Sequence, residues 1–322
     1  MTLGSQLIAF FAGIIGGLAF VQLYTGEIWG IILAYLSPLP LFLAGLTGGS
    51  AAAITAALFG ILAVFLRTNP DSTIFFACII ALPVMTLTRI ALIRDDRRGY
   101  IDGGTVLLAA LTIGTILMAI VAAMLEIYSS GIGAVTQSLL DSYKAMLLEN
   151  GTQQLTPEQI DDALMRLKGS LPALLLVSWF LIISVGGIFA QWFSSEIGKN
   201  LRPTPFLKEI YLPSWMAIVT VLCMIGAIMA PSDTSMVLTA FTTLYMIGFT
   251  IVGLGAMHRW INTRAIRYGW SDNRRLFTYI FAYLAIMILQ VPVLFLLLGG
   301  LIAPFTAKRL SSRTVTPEQS SN

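Results

Sequence analysis

Apolar residues dominate the chain in long, unbroken runs, and most polar residues fall in the short stretches between them. The runs are rich in Leu, Ile and Ala and lack the alternation of apolar and polar positions that is typical of membrane strands. A helix needs about 20 mostly apolar residues to cross the hydrocarbon core of a bilayer. The pattern therefore predicts nine spans, at roughly 4–24, 29–46, 49–67, 72–93, 104–128, 171–194, 214–230, 234–257 and 276–303.

The second run is the weakest of these, because Pro38 and Pro40 cannot donate backbone hydrogen bonds. A kinked or re-entrant helix at this place leaves eight spans instead of nine. The expected fold is therefore an all-α, polytopic transmembrane helix bundle with eight or nine spans. We expect a single transmembrane domain over residues 1–310 and a disordered polar tail at 311–322.

Composition supports a membrane protein and excludes several other classes. Of the 322 residues, 57% are hydrophobic and 11% are charged, whereas a soluble protein carries about 25% charged residues. So few charges exclude a soluble enzyme, a disordered chain and a nucleic-acid-binding domain, and make the lipid bilayer the first expected partner. Cys78 and Cys223 form no metal-binding or redox motif, and the single histidine, His258, excludes a His-rich metal site. We therefore expect no metal and no cofactor.

Basic residues are distributed unevenly between the predicted loops. Three loops that nine spans place on one side of the membrane hold eleven of them, and the opposite loops hold four. Because short cytoplasmic loops are enriched in Lys and Arg, we expect a bacterial inner-membrane protein with a cytoplasmic N-terminus. The basic tail conflicts with a single final span, so the side of the C-terminus stays open. The three basic loops contain Arg94, Arg97, Arg98, Lys199, Arg202, Lys208, Arg259, Arg264, Arg267, Arg274 and Arg275.

A polar insertion at about 129–170, on the expected outer face, is predicted to form two short amphipathic helices. The second has a clear start, with Thr156 as N-cap, Pro157 at the first helical position and Gln159 at the third. The insertion is either a cap over the outer ends of the spans or a passive packed linker.

Catalytic and nucleotide-binding motifs are absent from the sequence, including GxxxxGK[ST], HExxH and a Gly-x-Ser-x-Gly elbow. Carboxylates deep inside the runs are missing as well, which argues against an autonomous proton-driven transporter. We therefore expect a non-enzymatic protein. His258 and Asn262 are one helical turn apart and can share a face. Candidate ligand or lipid contacts, which can equally be interhelical or lipid-anchoring groups, are Arg89, Gln191, His258, Asn262 and Gln290.

Small residues on the first predicted helix form two overlapping small-xxx-small pairs, Ala12 with Gly16 and Gly13 with Gly17. This spacing creates a flat groove that lets another helix approach closely. The groove serves either internal packing or docking of a separate membrane subunit.

Motifs distributed over nearly the whole chain resemble the YybS-like family of bacterial multi-spanning membrane proteins. They are Leu36-Ser-Pro-Leu-Pro-Leu41, Leu82-Pro83 running to Arg89 and Arg94, Leu201-Arg-Pro-Thr-Pro205 with Leu212-Pro-Ser-Trp215, and the stretch from Gly253 to Gly269. The ending Ile302-Ala-Pro-Phe305 departs from the more aromatic, acidic ending of that family. The motif residues are Pro38, Pro40, Pro83, Arg202, Pro203, Pro205, Pro213, Trp215, Gly253 and Gly255.

The resemblance implies a distant similarity to the substrate-binding subunits of energy-coupling-factor importers. Those subunits dock through small residues of their first helix onto a membrane scaffold that carries ATPase subunits. The expected function is therefore that of a transport-type protein, which binds a small solute and is energised by such a partner. The alternative is a membrane scaffold or regulator of envelope assembly that handles no solute.

Overall fold

The computed structural model describes residues 3–95, 99–149, 156–289 and 291–313, and these residues are almost entirely helical. The apolar runs form helices because a helix pairs its own backbone groups, as an apolar surrounding requires. The only strands among these residues form a two-residue antiparallel pair, β1 (Arg94–Asp95) with β2 (Gly99–Tyr100). Arg97 and Arg98 of the first basic loop lie outside the described residues. The helices are α1 (Leu3–Val21), α2 (Ile28–Leu36), α3 (Pro38–Gly48), α4 (Ser50–Phe65), α5 (Pro70–Phe76), α6 (Leu82–Ala91), α7 (Gly103–Tyr128), α8 (Ile132–Glu149), α9 (Pro157–Lys168), α10 (Leu171–Glu196), α11 (Ser214–Met229), α12 (Ser232–Arg267), α13 (Asp272–Ile288) and α14 (Val291–Arg313).

Six segments of the described chain are long and apolar enough to cross a membrane. A seventh candidate is the pair α13 and α14, which is bent by 109°. Helices α4 and α11 have 16 residues each, about 24 Å at 1.5 Å per residue, which is shorter than the hydrocarbon core of about 30 Å. Six candidate membrane-spanning helices are therefore present among the described residues, whereas a total of eight or nine spans is not confirmed. The six segments are Gly4–Thr25, Ile28–Gly48, Pro70–Ala91, Gly103–Tyr128, Leu171–Glu196 and Ser232–Arg267.

Two of the motif prolines are accommodated at the start of a helix. Pro38 and Pro40 lie at the beginning of α3, where the missing N–H groups have no partner within the helix. Ser37 keeps a helical backbone at φ −57° and ψ −32°, so α2 and α3 together form one apolar segment.

Pro83 lies inside the segment Pro70–Ala91, directly after the π-helical stretch Ala77–Ala81. A proline supplies no N–H to the carbonyl four residues earlier, which here belongs to Ile79. The indole Nε1 of Trp179, on α10, donates a hydrogen bond of 2.7 Å to that carbonyl. The side chain of one helix thus satisfies the backbone of another at the point where proline interrupts the ladder.

The contacts within the chain group its residues into two compact units. The first comprises Met1–Ile101, Ala109–Thr204 and Cys223–Leu244. The second comprises Asp102–Leu108, Pro205–Leu222 and Tyr245–Asn322.

Helices α1 and α4 cross closely in the first unit. A Cβ atom at Gly13 would collide with the backbone carbonyl of Ala56, and one at Gly17 would lie 2.5 Å from the carbonyl oxygen of Gly60. Two small-xxx-small pairs therefore face each other, Gly13 with Gly17 and Ala56 with Gly60.

The other pair of small residues on α1 is covered by the chain too. Gly16 faces Leu41 and the carbonyl of Ser37, at the α2–α3 junction, and Ala12 is buried. The groove that was expected to serve either packing or docking is thus occupied by the chain's own helices. This surface of α1 is not available to a partner as the chain is folded here.

The start of the second insertion helix is confirmed. The Thr156 hydroxyl accepts a hydrogen bond from the backbone N–H of Gln159, and the Gln159 side chain accepts one from the N–H of Thr156. Ile160 is buried and Leu164 and Leu167 are half-buried, as the apolar face of this helix predicts. The Asn150-Gly-Thr152 stretch between α8 and α9, which fits the weak sequence pattern for N-glycosylation, lies outside the described residues.

Replacing Thr156 by alanine is expected to cost about 1 kcal/mol in local stability, because alanine lacks the hydroxyl that accepts the N–H of Gln159. Backbone hydrogen exchange should become faster at the start of α9 and stay unchanged in α10. Thr156→Ser, which keeps the hydroxyl, is the matched control. Equal exchange rates in the alanine and serine variants would show that the cap contributes nothing.

Candidate functional site

The candidate site is built on α13 and on the part of α12 that follows Leu244, both in the second unit, and the two helices meet at a tight turn. Helix α12 is 36 residues long, about 54 Å, so it extends beyond a hydrocarbon core of about 30 Å. Gly269, at φ +57°, follows α12 in the left-handed region that favours glycine. The Ser271 hydroxyl then accepts a hydrogen bond from the N–H of Arg274 and caps α13.

Four polar side chains join the two helices, and we call them the polar ladder: His258 and Asn262 on α12, Tyr279 and Tyr283 on α13. The Nε2 atom of His258 lies 2.8 Å from the hydroxyl of Tyr283, and the hydroxyl of Tyr279 donates to Oδ1 of Asn262 at 3.2 Å. The ring centroids of His258 and Tyr279 lie 4.7 Å apart. Because the residues are spaced by four on each antiparallel helix, they form two successive rungs.

The polar ladder is partly open. Tyr283 is 42% exposed, while His258, Asn262 and Tyr279 are half-buried. Among the residues that the structure describes, Nδ1 of His258 and Nδ2 of Asn262 make no hydrogen bond. The ladder therefore offers an imidazole nitrogen and an amide donor beside two aromatic rings. His258 directly follows the apolar run that ends at residue 257, which is a position typical of the membrane interface.

A second polar cluster lies in the first unit, around the buried Arg202. Only 5% of this residue is exposed. Its Nη1 donates to the carbonyl of Ala91 at 3.0 Å, and its Nη2 donates to the carbonyl of Ile101 at 3.1 Å. Ala91 is the last residue of α6, where helix carbonyls lack partners and carry partial negative charge. The guanidinium thus ties together the two ends of the segment that contains the β1–β2 pair.

Gln191, one of the candidate contact residues, belongs to this second cluster. Its Nε2 donates to the carbonyl of Arg202 at 3.1 Å and lies 3.4 Å from the hydroxyl of Thr204. Asn200 donates to the same Arg202 carbonyl at 2.9 Å. Both amides hold the loop after α10 in place, so the geometry of Gln191 supports a packing role.

The remaining candidates are separate from both clusters. Arg89 lies in the last turn of α6 with an exposed side chain, a geometry that suits contact with lipid phosphates. Gln290 lies outside the described residues. The structure thus brings together His258 and Asn262 of the five candidate contact residues. Tyr279 and Tyr283 were missed, although their spacing of four on the following helix could have indicated them.

The motif glycines Gly253 and Gly255 allow close packing within the second unit. A Cβ at Gly253 would collide with the carbonyl of Leu296 on α14, and one at Gly255 would collide with that of Leu207. Among the other motif residues, Pro203, Pro205 and Trp215 are exposed, and the carbonyl of Pro213 accepts a hydrogen bond from the N–H of Met216 at the start of α11. Pro203, Pro205 and Pro213 lie between α10 and α11, and Trp215 lies in the first turn of α11.

Fold and geometry define a class: the described residues are almost entirely helical, and several of the helices are apolar and long enough to be embedded in a membrane. Comparison with protein families, curated proteins and solved structures finds no significant match. The resemblance to the YybS-like family and to importer subunits therefore stays a prediction from the motifs.

Proposed function

We propose that this chain is a non-enzymatic membrane protein of transport type that binds a small polar solute at the polar ladder. The observation that carries the proposal is the partly exposed group of His258, Asn262, Tyr279 and Tyr283, with its unused nitrogen donors or acceptors. Ionisable side chains within membrane helices are rare and commonly mark solute pathways, and His258 lies at the end of the apolar part of α12. Aromatic rings with a few well-placed polar groups are also the usual lining of small-molecule sites.

The proposal also includes the number of spans, the orientation in the membrane and the source of energy for transport. We infer eight or nine spans in a bacterial inner membrane, with the short helices α4 and α11 and the bent pair α13–α14 completing the six longer segments. The basic loops support a cytoplasmic N-terminus. The energy for transport comes from a partner scaffold with ATPase subunits. Since the groove on α1 is filled internally, such a partner uses another surface.

A His258→Phe/Asn262→Leu double variant tests the ladder directly. Phenylalanine keeps the ring beside Tyr279 while both changes remove the polar atoms. The wild-type chain, purified in native nanodiscs, is expected to carry a small molecule that untargeted mass spectrometry detects. In the variant this molecule should be depleted on the order of tenfold or more, because two hydrogen bonds are lost.

The matched control is Thr263→Ala/Thr278→Ala on the same two helices, because both threonine hydroxyls bond to carbonyls of their own helices. The control should keep the wild-type small-molecule profile. If the ladder variant also keeps that profile, the ladder does not bind the solute.

A non-transport scaffold or regulator of envelope assembly is the second candidate. It is favoured by the close helix crossing in the first unit, where Gly13 and Gly17 of α1 meet Ala56 and Gly60 of α4 without intervening side chains. Such a rigid, filled region suits a structural role. This candidate requires the arginines between residues 259 and 275 to recruit a protein, and pull-downs that are unchanged after their neutralisation would count against it.

A further inference from the structure

We propose that the polar end of the α12–α13 hairpin is a binding surface for anionic phospholipid headgroups. The surface, which we call the arginine–aromatic patch, consists of Arg264, Arg267 and Arg274 with Trp260, Tyr268 and Trp270. The proposal does not depend on a bound solute, so it stands or fails separately from the function of the polar ladder.

The patch carries a large excess of positive charge. The segment 259–275 contains five arginines and one acidic residue, a formal charge of +4. Within the described residues, Asp272 pairs with Arg275 at 3.1 Å, and no carboxylate pairs with Arg264, Arg267 or Arg274. All three of these side chains are exposed. This excess of exposed positive charge therefore favours the binding of an anionic partner.

Aromatic rings hold two of these arginines without neutralising them. The guanidinium carbon of Arg264 lies 5.0 Å from the ring centroid of Trp260 and 5.8 Å from that of Tyr268. The guanidinium carbon of Arg274 lies 4.7 Å from the ring of Trp270. Cation–π contacts restrict a guanidinium while its N–H edges stay free for a phosphate. Positions 260 and 264 lie one turn apart on one face of α12, position 267 lies beside them, and Tyr268 directly follows the end of the helix.

The position of the patch identifies a lipid headgroup as the occupant. It begins just beyond the apolar run that ends at residue 257, at the level where Trp and Tyr settle between hydrocarbon and water. Trp260 and Arg264 lie about 5 and 10 Å along the helix beyond residue 257, which brings the long arginine side chain within reach of the phospholipid phosphates. Arginine matches a phosphate with two parallel hydrogen bonds, and a cluster of basic residues beside a membrane helix favours anionic over neutral lipids.

Lipid competition on the purified full-length chain tests the proposal. The chain, freed of bound lipid in mild detergent, is mixed with equal amounts of phosphatidylglycerol and phosphatidylcholine of identical acyl chains, and bound lipids are counted by native mass spectrometry. Wild type should prefer phosphatidylglycerol. Since each basic residue near an anionic surface contributes about a fivefold preference, Arg264→Gln/Arg267→Gln should lower the preference on the order of 25-fold.

Three further variants make the result specific. Arg67→Gln/Arg166→Gln removes the same charge from exposed positions elsewhere and should keep the wild-type preference. Arg264→Lys/Arg267→Lys keeps the charge and should retain most of the preference for phosphatidylglycerol. Arg267→Gln/Arg274→Gln is a second neutralised protein, which guards against misfolding of the first. No lipid preference in the wild type, or an equal loss in the Arg67/Arg166 control, would overturn the proposal and leave a protein partner as the ligand of the patch.

Discussion

Adding one methyl group at Gly13 is expected to destabilise the fold by about 2 kcal/mol. The new Cβ would collide with the backbone carbonyl of Ala56 and lie 3.0 Å from the backbone nitrogen of Gly60. Backbone atoms cannot move aside as a flexible side chain can, so α1 and α4 would have to separate. Their separation would also loosen the contact between Gly17 and Gly60 one turn further along. Sodium dodecyl sulfate titration of the purified chain, followed by circular dichroism, measures the free energy of unfolding.

Gly4→Ala is the matched control for Gly13→Ala, because Gly4 lies on the same helix and nothing lies within 4 Å of the added Cβ. Alanine at that position should leave the free energy of unfolding unchanged or raise it slightly, since alanine is the better helix former. Equal effects at positions 4 and 13 would show that the α1–α4 crossing does not depend on the small residues.

Replacing Arg202 by methionine is expected to destabilise the chain by about 3 kcal/mol. Methionine fills similar space but leaves the carbonyls of Ala91 and Ile101 without their charged donors in a buried place. The peptide amides of residues 92–95 and 99–101 should exchange faster with solvent, because the guanidinium joins the two ends of that segment. Hydrogen exchange followed by mass spectrometry measures both the global and the local effect.

Lys199→Met is the control for Arg202→Met, because Lys199 belongs to the same loop but is exposed. It removes the same charge and should change neither global stability nor local exchange. Arg202→Lys should restore little, because an ammonium group cannot reach two carbonyls in the planar geometry of a guanidinium. Full stability of Arg202→Met would contradict the assigned role.

Local signals in the sequence predicted the local parts of the structure. The capping box of α9 follows from Thr156 and Gln159, and the crossing of α1 follows from Gly13 and Gly17, because both depend on residues a few positions apart. The number of spans was harder to predict. Hydropathy marks an apolar run, but the 16-residue length of α4 and α11 and the bend between α13 and α14 arise only in three dimensions.

Long-range contacts explain most of what the sequence did not reveal. Arg202 was read as one of several basic loop residues, whereas its two carbonyl partners lie 111 and 101 positions earlier in the chain. The polar ladder was half predicted: His258 and Asn262 were identified as sharing a helix face. Tyr279 and Tyr283 become their partners only because the turn at Gly269 brings α13 back alongside α12 in that register.

Purification of the tagged, full-length chain from its native membrane, with quantitative mass spectrometry of everything that accompanies it, tests the proposed function most directly. A transport-type subunit should recover a transmembrane scaffold and ATPase subunits in near-stoichiometric amounts, and the Thr263→Ala/Thr278→Ala control should recover the same set. Stoichiometric recovery of envelope-assembly proteins instead, or of lipid without any protein partner, would contradict a solute-binding subunit that is energised by ATPases.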